Sequence, residues 1–173
     1  MPDATGLELL AQRVRGAVAE DVVVGTTYEH EQAMLEVAPA RVREVLAYLR
    51  DEDEEPYEHL MSLHAVDYLP EEPRLGVHYQ LLARARRERL GVKVRVTVED
   101  PVVPSVVDLF PTANFHEREA FDMFGVLFDG HPDPRRILLP EDYEGFPQRR
   151  DFPVGGEPVL FTYNEHKYPR WYE

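Results

Sequence analysis

Residues 76–98, GVHYQLLARARRERLGVKVRVTV, decide the fold. Val77, Tyr79, Leu81, Ala83 and Ala85 recur at every second position, with His78, Gln80, Arg84 and Arg86 between them; Leu82 interrupts the polar row. After Leu90–Gly91 the alternation resumes, with Val92, Val94, Val96 and Val98 on one side and Lys93, Arg95 and Thr97 on the other. Side chains alternate across a strand, so the stretch reads as two strands, each packed on one face and wet on the other. Their short link favours antiparallel pairing, because a parallel return needs a crossover of a dozen or more residues.

Toward the amino terminus the same logic adds elements. Leu7 to Glu20 places Leu7, Leu10, Val14, Ala17 and Val18 at helical spacing. Asp21 to Tyr28 is β-branched, a turn falls at Glu29–Glu31, and Gln32 to Ala38 completes a hairpin. Pro39 suits a helix start, and Val42, Val45, Leu46 and Leu49 give a second amphipathic helix. The acidic run Asp51 to Glu55 reads as a solvated loop. His59 to Leu69 reads as a strand, followed by a PEEPR turn. The expected class is α+β: an α-β-β-α-β-β-β order forming a mostly antiparallel sheet with helices on one face, plus short helices and an extended carboxyl-terminal tail.

Beyond Asp100 the character changes. Ten of the fifteen prolines lie between Pro101 and Pro169. Short helices fit near Ser105 to Phe110 and Asn114 to Phe124, and past Gly125 periodicity ends. The chain thus divides into an α+β domain over 1–125 and a tail over 126–173. That tail holds Ile137, Leu138, Leu139, Tyr143, Phe146, Phe152, Leu160, Phe161, Tyr163, Tyr168, Trp171 and Tyr172, too apolar for a linker. It must bury these side chains, either along a partner or back on its own sheet. Proline-fixed backbone loses less entropy when it docks.

Composition excludes several classes. There is no cysteine, hence no disulfide, thiolate metal site or iron–sulfur ligation by this chain. MPDATGLELLAQRVRG has neither the apolar core of a secretory signal nor a basic leader, and no apolar run approaches the ~20 residues that span a bilayer. Any membrane association is therefore expected through partners. The net charge of −14 argues against nucleic acid. The charge is uneven: residues 1–80 carry 17 acids and 6 bases, residues 81–173 carry 16 and 13. The basic run Arg84, Arg86, Arg87, Arg89, Lys93 and Arg95 has few interleaved aromatics, which fits a solvated sheet face or an acidic protein partner better than a nucleic acid.

On a helical wheel Ala113, Ala120, Phe121, Met123 and Phe124 form an apolar arc, with Arg118, Glu119 and Asp122 opposite. Glu117 falls inside the arc, so it needs a partner or a proton. It either caps its own helix start, as the Asn114-to-Glu117 spacing allows, or pairs with Arg135 or Arg136. Gly125 is placed to stop the helix. No glycine-rich phosphate loop is present, and His116-Glu117 lacks the second histidine of a zinc-protease helix. His64 and His78 fall on adjoining strands, and His131 lies between Asp129 and Asp133. Packing and a proline-fixed turn explain these better than a metal site.

The run PSVVDLFPTANFHEREAFDMFGVLFDGHPDPRRILLPEDYEGFPQRRDFP carries more than these parts. Its succession of Glu117-Arg118-Glu119, Asp122-Met123-Phe124-Gly125, Gly130-His131-Pro132-Asp133, Arg136-Ile137-Leu138 and Arg149-Arg150-Asp151-Phe152-Pro153 resembles the thirty-kilodalton subunit family, also called the C subunit, of NADH:quinone oxidoreductases (respiratory complex I). Val66-Asp67-Tyr68 resembles the family's strand motif, and the element order agrees with its fold. Gln148, Arg150, Pro134 and Phe115 depart from the family's usual leucine, lysine, leucine and tryptophan. The resemblance implies a non-catalytic core subunit of the peripheral arm. It implies no flavin, iron–sulfur cluster or nicotinamide in this chain, those cofactors belonging to partner subunits. It implies docking against the subunit that resembles a hydrogenase large subunit and forms the quinone cavity, on the cytoplasmic side of the inner membrane. The residues implied at subunit interfaces are Glu117, Arg118, Glu119, Asp122, Arg135, Arg136, Glu141, Asp142, Arg149, Arg150 and Asp151. An equivalent subunit of a membrane-bound hydrogenase, or of a ferredoxin- or deazaflavin-linked reductase, fits the same residues. A stand-alone hydrolase or metalloenzyme using the residues near His131, and a free binding module using the basic hairpin, are the readings outside that superfamily.

Overall fold

The computed structural model describes residues 3–153. Helix α1 (Ala4–Ala17) starts where the Asp3 carboxylate accepts the Gly6 N–H, and buries Leu7, Leu10, Ala11 and Val14. Strands β1 (Val23–Glu29) and β2 (Gln32–Val37) form the expected hairpin. A 3-10 turn at Pro39–Arg41 leads into α2 (Val42–Asp51), whose apolar stripe Val42, Val45, Leu46 and Leu49 is fully buried. Strands β3 (His59–Asp67), β4 (Leu75–Ala83) and β5 (Glu88–Val96) follow.

The sheet order is β1-β2-β5-β4-β3. All pairs are antiparallel except β2 with β5, which run parallel over Met34–Gly91 to Glu36–Lys93. The decisive alternation holds: Val77, Tyr79 and Leu81 sit opposite Val94, Val92 and Leu90, and all six are buried. The helices complete that face, since α1, α2 and Ala113 and Ala120 of the third helix enter one continuous apolar core. Fully burying each Leu or Val is worth roughly 1.5–3 kcal/mol, so this face dominates stability.

Several expectations are corrected. Strand β4 ends at Ala83, before Ala85 and Arg86; the turn falls at 84–87, with Arg87 at φ 53, and β5 already includes Leu90 and Gly91, both buried. Ala85 is accordingly exposed. The acidic run is not wholly solvated: Asp53 is buried against Arg13, whose Nε donates to it at 3.0 Å. Residues 107–109 form a turn rather than a helix. Two short strands, β6 (Val102–Pro104) and β7 (Leu127–Asp129), pair in parallel, so chain beyond residue 125 joins chain before it. The basic hairpin carries its own acids: Lys93 pairs with Glu36 at 2.7 Å and Arg86 with Glu88 at 3.4 Å.

Candidate functional site

Helix α3 (Ala113–Phe124) lies along β3 and ends where Gly125 takes φ 75. Its inward side carries Ala113, Glu117 and Ala120. Glu117 is 0% exposed, as the wheel requires, but both expected partners are wrong. Thr112, not Asn114, occupies the cap position and makes no side-chain bond. Arg135 and Arg136 bond elsewhere. Instead Ser105 Oγ donates to one carboxylate oxygen at 2.7 Å and the Val106 N–H to the other at 2.8 Å, so Glu117 fastens the turn that precedes its helix. The reason is geometric: an inward-facing carboxylate finds donors on the segment packed beneath the helix.

Burial pushes Glu117 up to about 7, against the opposing pull of the Val106 N–H and the Ser105 hydroxyl. Among the described residues the basic group paired with it is His131, with Nε2 3.9 Å away. His131 Nδ1 accepts the Asp133 N–H at 2.9 Å and Nε2 lies 3.2 Å from the Asn114 carbonyl. Thus His131 shapes the expected rigid turn. The buried Tyr79 hydroxyl, which has no hydrogen-bond partner among the described residues, is held well above its usual range by burial and by the Glu117 charge.

Asp122 sits on the side expected to be polar and wet, yet it is fully buried, because residues 137–139 cover it. One oxygen accepts the N–H groups of Ile137, Leu138 and Leu139 at 3.1, 2.7 and 2.9 Å. The other takes Arg136 Nη1 at 2.7 Å. Arg136 also donates to the Asp122, Tyr143 and Gly145 carbonyls. Burial pushes the Asp122 carboxyl up, but Arg136 and the three N–H donors outweigh it and hold the group below its ordinary value. Arg118 bridges to the Arg135 and Arg136 carbonyls at 3.0 Å each.

The last described residues are pinned to the other end of the sheet. Arg149 Nε donates to the Phe124 carbonyl at 2.7 Å. The Arg150 N–H reaches Asp67 at 2.7 Å and its guanidinium the Leu69 carbonyl at 2.6 Å. Arg74 grips Asp67 and Asp151 with paired bonds of 2.6 and 2.8 Å to each. Phe146 meets Phe121 edge-on at 6.4 Å between centroids. Up to Pro153, then, the tail wraps back on its own domain; residues 154–173, with Leu160, Phe161, Tyr163, Tyr168, Trp171 and Tyr172, lie outside the described residues.

Of the residues expected at interfaces, Glu117, Arg118, Asp122, Arg136, Arg149, Arg150 and Asp151 are brought together on this internal fastening. Arg135 is exposed and pairs with Asp133 at 2.7 Å, while Glu119, Glu141 and Asp142 are exposed. Sequence reasoning missed Ser105, Asp67 and Arg74 as anchors. Arg74 was hidden in a turn, although a lone arginine a few residues after Asp67 in an acidic segment is a usable signal. His64 and His78 do adjoin, with rings stacked at 5.2 Å, but His78 bonds to the Tyr68 hydroxyl at 2.7 Å. Among the described residues no group of three or more His, Cys, Asp or Glu is arranged to hold a metal. Beside Glu117 and His131 opens a cleft of about 390 Å³ walled by Val102, Phe121, Leu127 and Pro134.

The described residues thus form a five-stranded α+β domain closed by a charge-fastened carboxyl-terminal segment. The chain belongs to the family of the respiratory-chain NADH dehydrogenase 30 kDa subunit, whose profile matches residues 35–158. It is 46% identical over 151 residues to the NADH-quinone oxidoreductase C subunit of Roseiflexus castenholzii, covering 87% of each chain. It is 44% identical to that of Roseiflexus sp. strain RS-1, covering 96% of this chain and 93% of the relative. Among solved structures, the trypsin-resistant fragment (1–134) of Nqo5 matches with a TM-score of 0.59 at 28% identity, covering 73% of this chain and 98% of the fragment. A chain of an archaeal membrane-bound sulfane sulfur reductase shares the fold, with a TM-score of 0.68 at 23% identity over 93% of this chain and 90% of that one. The chain is thus a peripheral-arm subunit of a membrane-associated oxidoreductase complex, complex I, and other subunits of that complex are its partners. No helix among the described residues is long and apolar enough to cross a membrane.

Proposed function

We propose that the chain is a shape-giving subunit with no active site of its own, which supports the quinone-site neighbour resembling a hydrogenase large subunit. One observation carries this reading. The motif residues with the strongest chemistry, Asp122, Arg136, Arg149 and Asp151, are consumed in fastening residues 126–153 to α3 and to the β3–β4 end. Side chains so engaged define a rigid outer surface rather than wait for a substrate. Arg135, Glu119, Glu141 and Asp142 then face outward, where charged pairs set register and penalise mispairing with a neighbour. Flavin and iron–sulfur clusters belong to partner subunits in this reading, and the complex holds the chain on the cytoplasmic side of the inner membrane.

Affinity purification of the full chain from membranes in mild detergent tests it. The hydrogenase-large-subunit-like neighbour should be recovered with the chain, together with NADH:quinone activity. Purified alone, the chain should carry no flavin or cluster absorbance and oxidise no NADH. Recovery of the lone chain, or turnover by it, would overturn the proposal.

A further inference from the structure

We infer that the outer face of the β6–β7 pair is the seat of a basic, apolar-anchored segment of another subunit; the inference rests on the docking reading above. The register carries the first half of the argument. Val102 sits opposite Leu127, Val103 opposite Phe128 and Pro104 opposite Asp129. Side chains alternate across strands, so Val103 and Phe128 enter the core while Val102 and Leu127 stand side by side outward. They are 41% and 46% exposed, against 0% and 9% for the inward pair. Each strand is only three residues long. A two-stranded sheet this short is marginal without something packed on it, and among the described residues only its inner face is packed against the core.

The outward pair borders two hollows. The cleft of about 390 Å³ runs from Val102 and Leu127 to Phe121 and Pro134, and a second hollow of about 620 Å³ shares Val102 and Asp129 with it. The first is of the size that takes one or two apolar side chains.

Charge decides the occupant. The arginines beside these hollows already have carboxylates: Arg118 meets Asp133 and Arg95 meets Glu71, both at 3.6 Å. The carboxylates of Asp100 and Asp129 have no hydrogen-bond or ion-pair partner among the described residues, and both groups are exposed. The uncompensated charge is therefore negative, on an acidic chain. The complement is a segment that inserts an aliphatic or aromatic side chain between Phe121 and Leu127 and sets a lysine or arginine on Asp129.

A photo-crosslinking amino acid placed at position 127, in the complex assembled in membranes, tests the seat. The expected product joins position 127 to one other subunit, at a peptide with an apolar residue within a few positions of a lysine or arginine. Asp129→Lys should lower recovery of the assembled complex by about tenfold, as like-charge juxtaposition does, while the isolated variant chain melts within about 2 °C of the parent. Crosslinks only to residues 154–173 of the same chain, to a second copy or to an acidic segment would overturn the inference. So would no crosslink, or unchanged recovery of Asp129→Lys. Failure of the parent chain to co-purify with any subunit refutes the docking reading; co-purification with a silent position 127 refutes the seat alone.

Discussion

Glu117→Gln isolates the buried carboxyl. Glutamine keeps the shape and both contacts: its amide oxygen accepts the Val106 N–H and its amide N–H donates to Ser105 Oγ. It removes only the titration. In the folded chain Glu117 sits at about 7, whereas its ordinary value is 4.5. Folded protein thus holds the proton more tightly than unfolded protein. The stabilisation this group confers is complete below about pH 4.5, declines as pH rises toward about 7 and is absent above it. The gap corresponds to about 3 kcal/mol between the two protonation states. The difference in unfolding free energy between Glu117→Gln and the parent should therefore grow in favour of the variant by about 3 kcal/mol from pH 4.5 to 7.5. Urea unfolding of both full chains across that range measures it, and the other titrating groups cancel in the difference. Parallel curves would show that Glu117 is ionised throughout and that its two donors suffice to hold the charge.

Three further substitutions probe the fastening. Arg136→Met strands the buried Asp122 carboxylate and releases the Tyr143 and Gly145 carbonyls; it should cost about 3–5 kcal/mol in denaturant unfolding and open residues 134–146 to limited proteolysis. Gly125→Ala must hold φ 75 and put its methyl 2.6 Å from both Arg149 and the Phe146 ring, so it should lower stability by at least about 1–2 kcal/mol, read as a reduced melting temperature. Asp67 is held well below the carboxylate range by Arg74, against burial and with help from the Arg150 and Leu69 N–H groups. Its contribution is present above about pH 4 and lost below it, so Asp67→Asn should flatten the acid limb of a stability–pH profile.

Periodicity reported faces well and neighbours poorly. The rows Val77-Tyr79-Leu81 and Val92-Val94-Val96 named the buried face correctly, because burial is what the alternation encodes. The parallel β2–β5 pairing was not legible, since both strands have the same alternation whichever way they run. The position of the β4–β5 turn was readable in principle: the apolar phase moves from odd positions at Ala83 to even ones at Leu90, so the break had to lie between them. Gly91 lies inside β5, buried opposite Gln80. At the site, the wheel found the inward Glu117 but missed burial of Asp122. A wheel sees one helix, and the cover over Asp122 comes from residues 137–139. The family resemblance located the charged motif. Which partners those charges choose depended on the path of a segment without periodicity.

The grip of Arg74 on Asp151 joins residues 77 apart in the chain. At about 5–20 residues per second a ribosome needs roughly 4–15 s to travel that distance. Through that interval the β3–β4 end exists with only half of its ionic lock, Arg74 bound to Asp67 alone. Nascent chains stalled at successive lengths, with a linker after Glu173 long enough to carry residue 151 out of the tunnel, should therefore gain protease resistance at the β3–β4 end in a late step. Among the described residues, synthesis order alone thus makes the surface finished by the segment around Arg149 to Asp151 the last to mature.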